Sequence, residues 1–521
     1  MLKIAHSLVP LAIGLCAACG ESSAVITTDD ATGTASSSSG GPTTGTTATS
    51  EPTSGPTTSA YGSESVGDTS TASTSGTSGD TSSGATTVVT TATTADTSTG
   101  DDTDSTGGVM EPPKSCTAAE LPYMGPLCGG SGPACEVRLD ELVDLKPTFR
   151  NDAPALALGQ DCQPHIVYSV AEGGYHGFYA RRALGGVWTT APTPMPVATV
   201  GLVIDPLDGV PRAVTDDGAY KGELYRYSDD AWNFEATILG QTLLQARGVA
   251  LDDLGRIVVA ILDDPDELKL GVYTDGWDFT ALAAMANAPA VAASPVPERA
   301  HVAAWSSQGG TWKAIWHAPP DGPETITTYG SNALERNTIA IAVAPSDDDA
   351  IPDVPHVLVA TLRKAGGHQL VLAYRDEPGP WNVEVVAEET PETDTFCSDD
   401  PQSDGESCEY QYSEVRPLAA VASRGGDVRF FWTRVTYTGT LLSECVIKPN
   451  NLCTWKPQLE ERSADLFVGW RGKDGPESAI LTAATLPRSA TAAIDSTGEV
   501  HLALYDQVED GTTVRYLRVG G

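Results

Sequence analysis

Three features of the 521-residue sequence predict an all-β chain whose C-terminal part is a seven-bladed β-propeller. Short apolar strands alternate with turns of Gly, Asp and Pro, and the 3.6-residue period of an amphipathic helix is not seen. A strand–turn–strand pattern recurs seven times at intervals that suit one four-stranded blade. An unassigned strand lies upstream of the first repeat, and the last repeat lacks its fourth strand. A six-bladed ring with one degenerate repeat is the alternative.

Residues 1–18 have the composition of a secretory signal peptide, because Lys3 precedes about a dozen apolar residues and small residues follow. The run Leu15-Cys16-Ala17-Ala18-Cys19 resembles the bacterial lipobox, in which the last cysteine is lipidated and becomes the mature N-terminus. The resemblance implies a lipid on Cys19. Because Gly20 follows instead of Asp, it also implies a place at the outer membrane or cell surface. Cleavage after Ala18 without lipidation, which gives a secreted protein, is the alternative.

Residues 19–112 are rich in Thr, Ser and Gly, and residues 20–112 contain no Lys or Arg. Since so few large apolar side chains cannot offset the entropy of ordering, we predict a disordered tether. The net charge of −38 excludes nucleic acid as a partner, because phosphate binding needs a basic surface. After the N-terminus the sequence contains no apolar run long enough to span a membrane as a helix.

Seven repeats occupy residues 149–521, and each has an apolar inner strand, a turn, a second strand and an aromatic third strand. A fourth strand often starts at a Trp, namely at Trp188, Trp232, Trp277 and Trp381. The last apolar residues of the seven inner strands are Leu158, Ile204, Leu251, Ala292, Val343, Val421 and Ile494. Most steps between them are about 41 to 51 residues, which fits a blade. The last two steps, of about 78 and 73 residues, indicate blades with insertions.

A leading segment, residues 113–148, precedes the repeats. Residues 135–145 within it alternate apolar and polar side chains, so they can supply the missing outer strand of the last repeat. Such pairing would close the ring and remove an open sheet edge.

Eight cysteines follow the signal peptide, an even number in a secretory chain, which predicts disulfides. They are Cys116, Cys128, Cys135, Cys162, Cys397, Cys408, Cys445 and Cys453. Spacing pairs Cys397 with Cys408 and Cys445 with Cys453, each across a polar loop. The other four leave three connectivities open, of which Cys135 with Cys162 would tie the leading segment to the first repeat. A zinc site is disfavoured because no C-x₂-C pair is present.

Five arginines lie where inner strands begin, at one end of the predicted central channel. They are Arg150, Arg247, Arg336, Arg416 and Arg488. Guanidinium groups bind carboxylate or sulfate in a bidentate manner, so these residues are the candidate ligand-binding set. Four histidines share the start of the second strand, namely His165, His301, His356 and His501. Because equivalent positions are spread around a ring, we predict a structural role for them and no metal site.

The repeat resembles the sialidase-like, BNR-type propellers of secreted bacterial proteins in its Gly/Asp-x-x-His turn, its third-strand aromatic and the Gly-x-Trp of residues 185–188. In that family three arginines hold the substrate carboxylate, so the resemblance implies glycan recognition near the channel. The family's Asp-box is not intact here, and residues 309–312 are its nearest remnant. Asp152, Tyr168 and Glu414 are available for the acid/base and nucleophile roles of a sialidase, but their spacing does not select them.

The sequence therefore favours a monomeric, lipid-anchored envelope protein that binds a glycan or protein ligand without catalysis and without a cofactor. A sialidase-like glycoside hydrolase and a passive surface scaffold are the alternatives. Calcium in the acid-rich residues 398–406 is less favoured, because this stretch lacks the ligand order of a calcium loop.

Overall fold

The computed structural model describes Cys116, residues 123–129 and most of residues 135–521, which all belong to one compact unit. Within 135–521 the description omits 145–152, 171–175, 196–198, 217–220, 239–242, 264–266, 284–285, 309–310, 319–321, 330–338, 349–350, 363–367, 378, 391–392, 395–404, 447–451, 473, 484–485 and 509–510. The predicted signal peptide, Cys19 and the tether lie outside the described residues.

The described residues form antiparallel sheets that follow one another along the chain, after a 3₁₀ turn at Leu127–Gly129 and the strand β1 (Glu136–Asp144). Blade 1 contains β2 (Ala155–Leu158), β3 (Pro164–Val170), β4 (His176–Arg182) and β5 (Trp188–Pro192). Blade 2 contains β6 (Thr199–Ile204), β7 (Pro211–Asp216), β8 (Gly222–Ser228) and β9 (Ala231–Thr237). Blade 3 contains β10 (Leu243–Leu251), β11 (Ile257–Asp263), β12 (Glu267–Tyr273) and β13 (Trp277–Ala283).

The remaining blades follow the same order. Blade 4 contains β14 (Ala286–Ala293), β15 (Ala300–Gln308), β16 (Thr311–His317) and β17 (Glu324–Tyr329). Blade 5 contains β18 (Ile339–Asp348), β19 (Ile351–Leu362), β20 (His368–Tyr374) and β21 (Asn382–Glu388). Blade 6 contains β22 (Thr393–Asp394), β23 (Ser407–Ala422), β24 (Val428–Val446), β25 (Leu452–Gly472) and β26 (Gly475–Ala483). Blade 7 contains β27 (Pro487–Ile494), β28 (Val500–Val508) and β29 (Gly511–Gly520).

The blades form a closed ring of seven, as the repeat predicts. The inner strands β2, β6, β10, β14, β18, β23 and β27 contact one another in that order, and β27 contacts β2. In blade 7, β1 pairs with β29, so the strand upstream of the repeats supplies the outermost position. We call the end of the ring where inner strands begin the start end. The opposite end, where each inner strand turns into the second strand, is the turn end.

Blade 6 is longer than the other blades, because both insertions extend one sheet. β23, β24 and β25 continue in register far beyond the blade, from the Arg416–Thr433 pair to the Ser407–Leu442 pair on one side. The sequence predicted two stapled loops. Cys445 and Cys453 are opposite residues of a β-hairpin, the arrangement that a disulfide across its loop requires, and their pairing with each other stays a prediction. Cys408 takes part in a disulfide, and so does Cys453. Cys397 lies outside the described residues, so its pairing with Cys408 stays a prediction.

The first four cysteines pair as Cys116–Cys162 and Cys128–Cys135. The connectivity that joins Cys135 to Cys162 is therefore wrong. The reason is positional: Cys135 immediately precedes β1 and lies beside the 3₁₀ turn that contains Cys128. Cys116 lies at the blade 1 turn, where its backbone N–H donates to the Gln160 carbonyl at 3.1 Å.

The four repeated histidines are buried and contact the third-strand aromatic of their own blade. His165 hydrogen-bonds Tyr179, and His501 hydrogen-bonds Tyr516. His301 accepts from the Trp316 indole, and His356 stacks on Tyr374. Burial lowers the pKa of His165 and His356 to about 4, so both rings are neutral at pH 7. These contacts support the structural role expected of this position.

Candidate functional site

Two of the five predicted arginines, Arg416 and Arg488, have described side chains. Arg416 lies in β23 and Arg488 lies in β27, so both are on inner strands of adjacent blades near the start end. Arg247 lies in β10, but its side chain is not described. Arg150 and Arg336 lie outside the described residues. The candidate site is therefore the boundary between blades 6 and 7 near the start end, which we call the arginine groove.

Arg416 forms the blade 6 wall of this groove together with Glu414 and Tyr437. Its Nη2 donates to Glu414 Oε2 at 2.5 Å and to the Tyr437 hydroxyl at 3.1 Å. The Tyr437 hydroxyl donates to the same carboxylate oxygen at 3.3 Å. Glu414 is thus the acceptor that fixes both the guanidinium and the phenol, and 30% of the Arg416 side chain remains exposed to an incoming ligand.

Arg488 forms the blade 7 wall, and its partner is neutral. Its Nε and Nη2 both donate to the amide oxygen of Gln507, at 2.9 and 2.6 Å. Partial burial lowers the pKa of Arg488, and the positive charges of Arg416 and Arg462 lower it further. A guanidinium stays protonated throughout the physiological range. Arg416 and Arg462 are therefore close enough to Arg488 for their positive charges to act on it.

The third cation, Arg462, comes from the extension of blade 6. It lies on β25 with its guanidinium 5.3 Å from the centre of the Tyr437 ring, which is the geometry of a cation–π contact. Arg462 and Arg488 are both exposed to solvent. Sequence reasoning missed Arg462, because it lies inside an insertion and far from the start of any inner strand. The sequence offered one indication of such a residue, which was a basic side chain within the long interval between the last two inner strands of an acidic protein.

The extension is held over blade 7 by an apolar cluster. Tyr410, Val435, Tyr437 and Ala464 are buried together, and Leu486 of the segment before β27 packs against them. Tyr412 stacks on Tyr437 with ring centres 4.6 Å apart and planes 9° from parallel. This packing positions Arg462 beside the two inner-strand arginines. Glu414 is the carboxylate that accepts from Arg416 here, in a protein whose net charge is −38.

The neighbouring Tyr437–Glu414 pair is a poor nucleophile. Tyr437 is buried, and burial raises the pKa of its hydroxyl above the usual value. Its phenol therefore keeps its proton at neutral pH. The other tyrosine considered from the sequence, Tyr168, is fully buried and donates to Asp144 of β1 at 2.5 Å, which ties blade 1 to the ring-closing strand. Asp152 lies outside the described residues.

A cavity of about 130 Å³ lies on the ring axis. Every inner strand contributes to its wall, and the lining side chains are apolar except for one threonine, with seven alanines among them. They belong to Ala155, Leu156, Leu202, Val249, Ala290, Val291, Ala340, Ile341, Ala419, Ala420, Ala490, Thr491 and Ala492. Arg416 and Arg488 precede the lining residues Ala419 and Ala490 on the same strands, so the arginine groove lies toward the start end of this channel.

Two searches gave no result within the described part of the chain. Three or more His, Cys, Asp or Glu side chains do not come together there as metal ligands would. Neither does that part contain a helix of the length and apolarity needed to cross a membrane. The acid-rich residues 398–404 lie outside the described residues, so calcium there stays a prediction.

The sequence matches no protein-family model and no curated protein. Its fold is similar to that of AofleA from Arthrobotrys oligospora, at 11% identity and a TM-score of 0.36, over 68% of this chain and 97% of that one. It is also similar to the SapL1 lectin, solved with alpha methyl fucoside, at 11% identity and a TM-score of 0.33, over 59% and 98%. A third similar structure is XC5397 from Xanthomonas campestris, described as a gluconolactonase, at 10% identity and a TM-score of 0.32, over 74% and 98%.

These low TM-scores carry no argument about ligand or reaction. The order of strands, the closure of β1 on β29 and the contact of β27 with β2 define the fold directly. The described chain is a seven-bladed β-propeller with one extended blade.

Proposed function

We propose that this protein binds an acidic or sulfated glycan, without catalysis, in the groove between blades 6 and 7. The observation that carries the proposal is the grouping of three arginines: Arg416 and Arg462 both contact Tyr437, and their positive charges act on Arg488. Holding like charges together costs free energy unless an anion is present, and a carboxylate or sulfate would relieve that repulsion. The partner of Arg488, Gln507, is neutral and does not compensate the positive charge.

The binding role is favoured over a sialidase-like hydrolase because of the state of the Tyr437–Glu414 pair. A nucleophile must reach the substrate and lose its proton during attack. Tyr437 is buried, so its hydroxyl is poorly placed to reach a substrate, and its raised pKa makes loss of the proton less favourable. The hydrolase remains the second candidate, since a Tyr–Glu pair does lie beside clustered arginines.

The experiment measures retention and cleavage together. The purified protein is incubated with sialylated, sulfated, uronic-acid and neutral glycans, and both bound and released species are read by mass spectrometry. We expect acidic glycans to be retained and neutral ones to pass. Arg488→Gln should weaken retention by about tenfold or more, because one charge-assisted contact is lost. Binding should also weaken with salt.

Arg226→Gln is the matched control. Arg226 is an exposed arginine whose Nη2 donates to Asp208 at 2.7 Å, at the turn end of blade 2. Its loss removes the same charge far from the groove, so retention should not change. If both variants lost the same amount of glycan retention, net charge alone would govern binding, and the proposed site would be refuted. Cleaved products would replace the binding role with the hydrolase, and no retention of any glycan would favour an acidic protein ligand.

We also propose that the mature protein is lipidated on Cys19, and that residues 19–112 tether the propeller to the cell envelope. Support comes from the lipobox resemblance and from the Thr/Ser/Gly-rich composition of this stretch. A tether of this kind would let a monomeric propeller sample ligands at some distance from the membrane.

A further inference from the structure

One ion pair in the propeller joins two blades on opposite sides of the ring. Arg424 Nη2, in the turn between β23 and β24 of blade 6, donates to Asp253 Oδ1 at 3.0 Å. Asp253 lies in the turn between β10 and β11 of blade 3. In a closed ring of seven, blades 3 and 6 are separated by two blades on one side and three on the other. The pair therefore crosses the turn end of the central channel.

The leading segment holds Arg424 in this position. The Arg424 backbone N–H donates to the Tyr123 carbonyl at 3.0 Å, and the Leu127 N–H donates to Asp427 at 2.7 Å. A Cβ at Gly425 would overlap the Met124 carbonyl oxygen, so the turn is shaped to receive this segment. The blade 6 turn is thus clamped to residues 123–127 on the same end of the ring.

The same segment is anchored at two further turns. The Cys128 N–H donates to the Gly498 carbonyl of the blade 7 turn at 2.9 Å, and Cys116 is disulfide-bonded to Cys162 at the blade 1 turn. The Cys128–Cys135 disulfide joins this segment to the residue that immediately precedes β1. Contacts of one short stretch therefore fix the turns of blades 6, 7 and 1. The Arg424–Asp253 pair extends this fixation across the channel to blade 3.

We propose that the Arg424–Asp253 pair, held by the leading segment, closes the turn end of the central channel. Small molecules then reach the channel from the start end, where the arginine groove lies. The closure also couples the blade 3 turn to the blade 6 turn, although the two are 171 residues apart in sequence. This inference does not depend on the proposed glycan ligand, because it concerns the opposite end of the ring.

Asp253→Asn tests the closure by two measurements. In the first, hydrogen exchange is followed in peptides that cover residues 123–128 and 423–428. We expect faster exchange in both, although the substitution is in blade 3. In the second, Ala492→Cys places a thiol on the channel wall near the turn end. Its alkylation by iodoacetamide should be about threefold to fivefold faster with Asp253→Asn, the range set by a partly exposed ion pair.

Controls separate closure from general loosening. Asp208→Asn breaks an ion pair of similar exposure within blade 2, and it should change neither measurement. Arg424→Gln should reproduce Asp253→Asn, and the double variant should add little, because both remove the same contact. An unchanged alkylation rate in Asp253→Asn would overturn the proposal even if exchange increases. An equal increase in Asp208→Asn would overturn it as well.

Discussion

The ring-closing strand β1 is tied to blade 1 by Glu141, and Glu141→Gln tests how much this tie stabilises the ring. Glu141 Oε2 accepts from Arg182 Nε at 2.8 Å and from the Trp188 indole at 2.8 Å, and Oε1 accepts from Arg182 Nη2 at 2.9 Å. The side chains of Arg182 and Glu141 are 14% and 21% exposed, so water screens the pair only partly.

The expected loss of stability follows from this geometry. A bidentate guanidinium–carboxylate contact is stronger than a neutral hydrogen bond, and the amide offers Arg182 one acceptor at residue 141 where the carboxylate offered two. We expect Glu141→Gln to lower the free energy of unfolding by about 2 kcal/mol. Urea denaturation followed by tryptophan fluorescence measures the difference. Glu444→Gln is the control, because Glu444 and Lys456 form an ion pair at more than half exposure, and it should change the free energy by about 0.5 kcal/mol or less.

The pH dependence gives this prediction a second readout. The hydrogen bond from Arg182 holds the pKa of Glu141 below its usual value of 4.5, against the effect of partial burial. A carboxyl whose pKa is lowered in the folded state stabilises that state fully at pH values above its pKa in the unfolded chain. This stabilisation is lost as the pH falls through its pKa in the folded protein. The wild type should therefore approach the stability of Glu141→Gln as the pH falls below the usual value of 4.5 and through the lowered pKa of Glu141. A difference under about 0.5 kcal/mol at pH 7, or one that grows on acidification, would refute the reasoning.

Two further predictions concern the leading segment and the N-terminus. Gly498 and Gly405 have nearly equal positive φ angles of 84° and 82°, but a Cβ at Gly498 would overlap the Tyr123 ring whereas Gly405 has open space. Gly405→Ala should therefore cost about 1 kcal/mol of backbone strain, and Gly498→Ala at least about 1 kcal/mol more in urea denaturation; equal costs would show that Tyr123 does not pack there. Lipidation is tested by metabolic labelling with an alkynyl fatty acid, which should mark the wild type and not Cys19→Ala, and an unlabelled wild type would contradict it.

Local pattern was sufficient to predict the fold. The period-2 alternation and the recurrent turn indicated seven inner strands, and each predicted last residue, from Leu158 to Ile494, lies in one. The alternating residues 135–145 predict an outer strand for the last repeat, which lacks its own fourth strand, and β1 pairs with β29 there. These features are readable because each blade is a local unit that repeats its own hydrophobic pattern.

Contacts between distant parts of the chain required the tertiary structure. Arg462 joins Arg416 and Arg488 only because an insertion folds as an extension of blade 6 and packs on Leu486. The partners of Cys116 and Cys128, and the pairing of Arg424 with Asp253, depend on which turns meet at one end of the ring. A sequence determines which residues repeat, but side chains far apart in the chain meet through ring closure. The blades, and the places of Arg416 and Arg488 on inner strands, were therefore predictable, whereas the approach of Arg462 to them and the Arg424–Asp253 pair were decided by the fold.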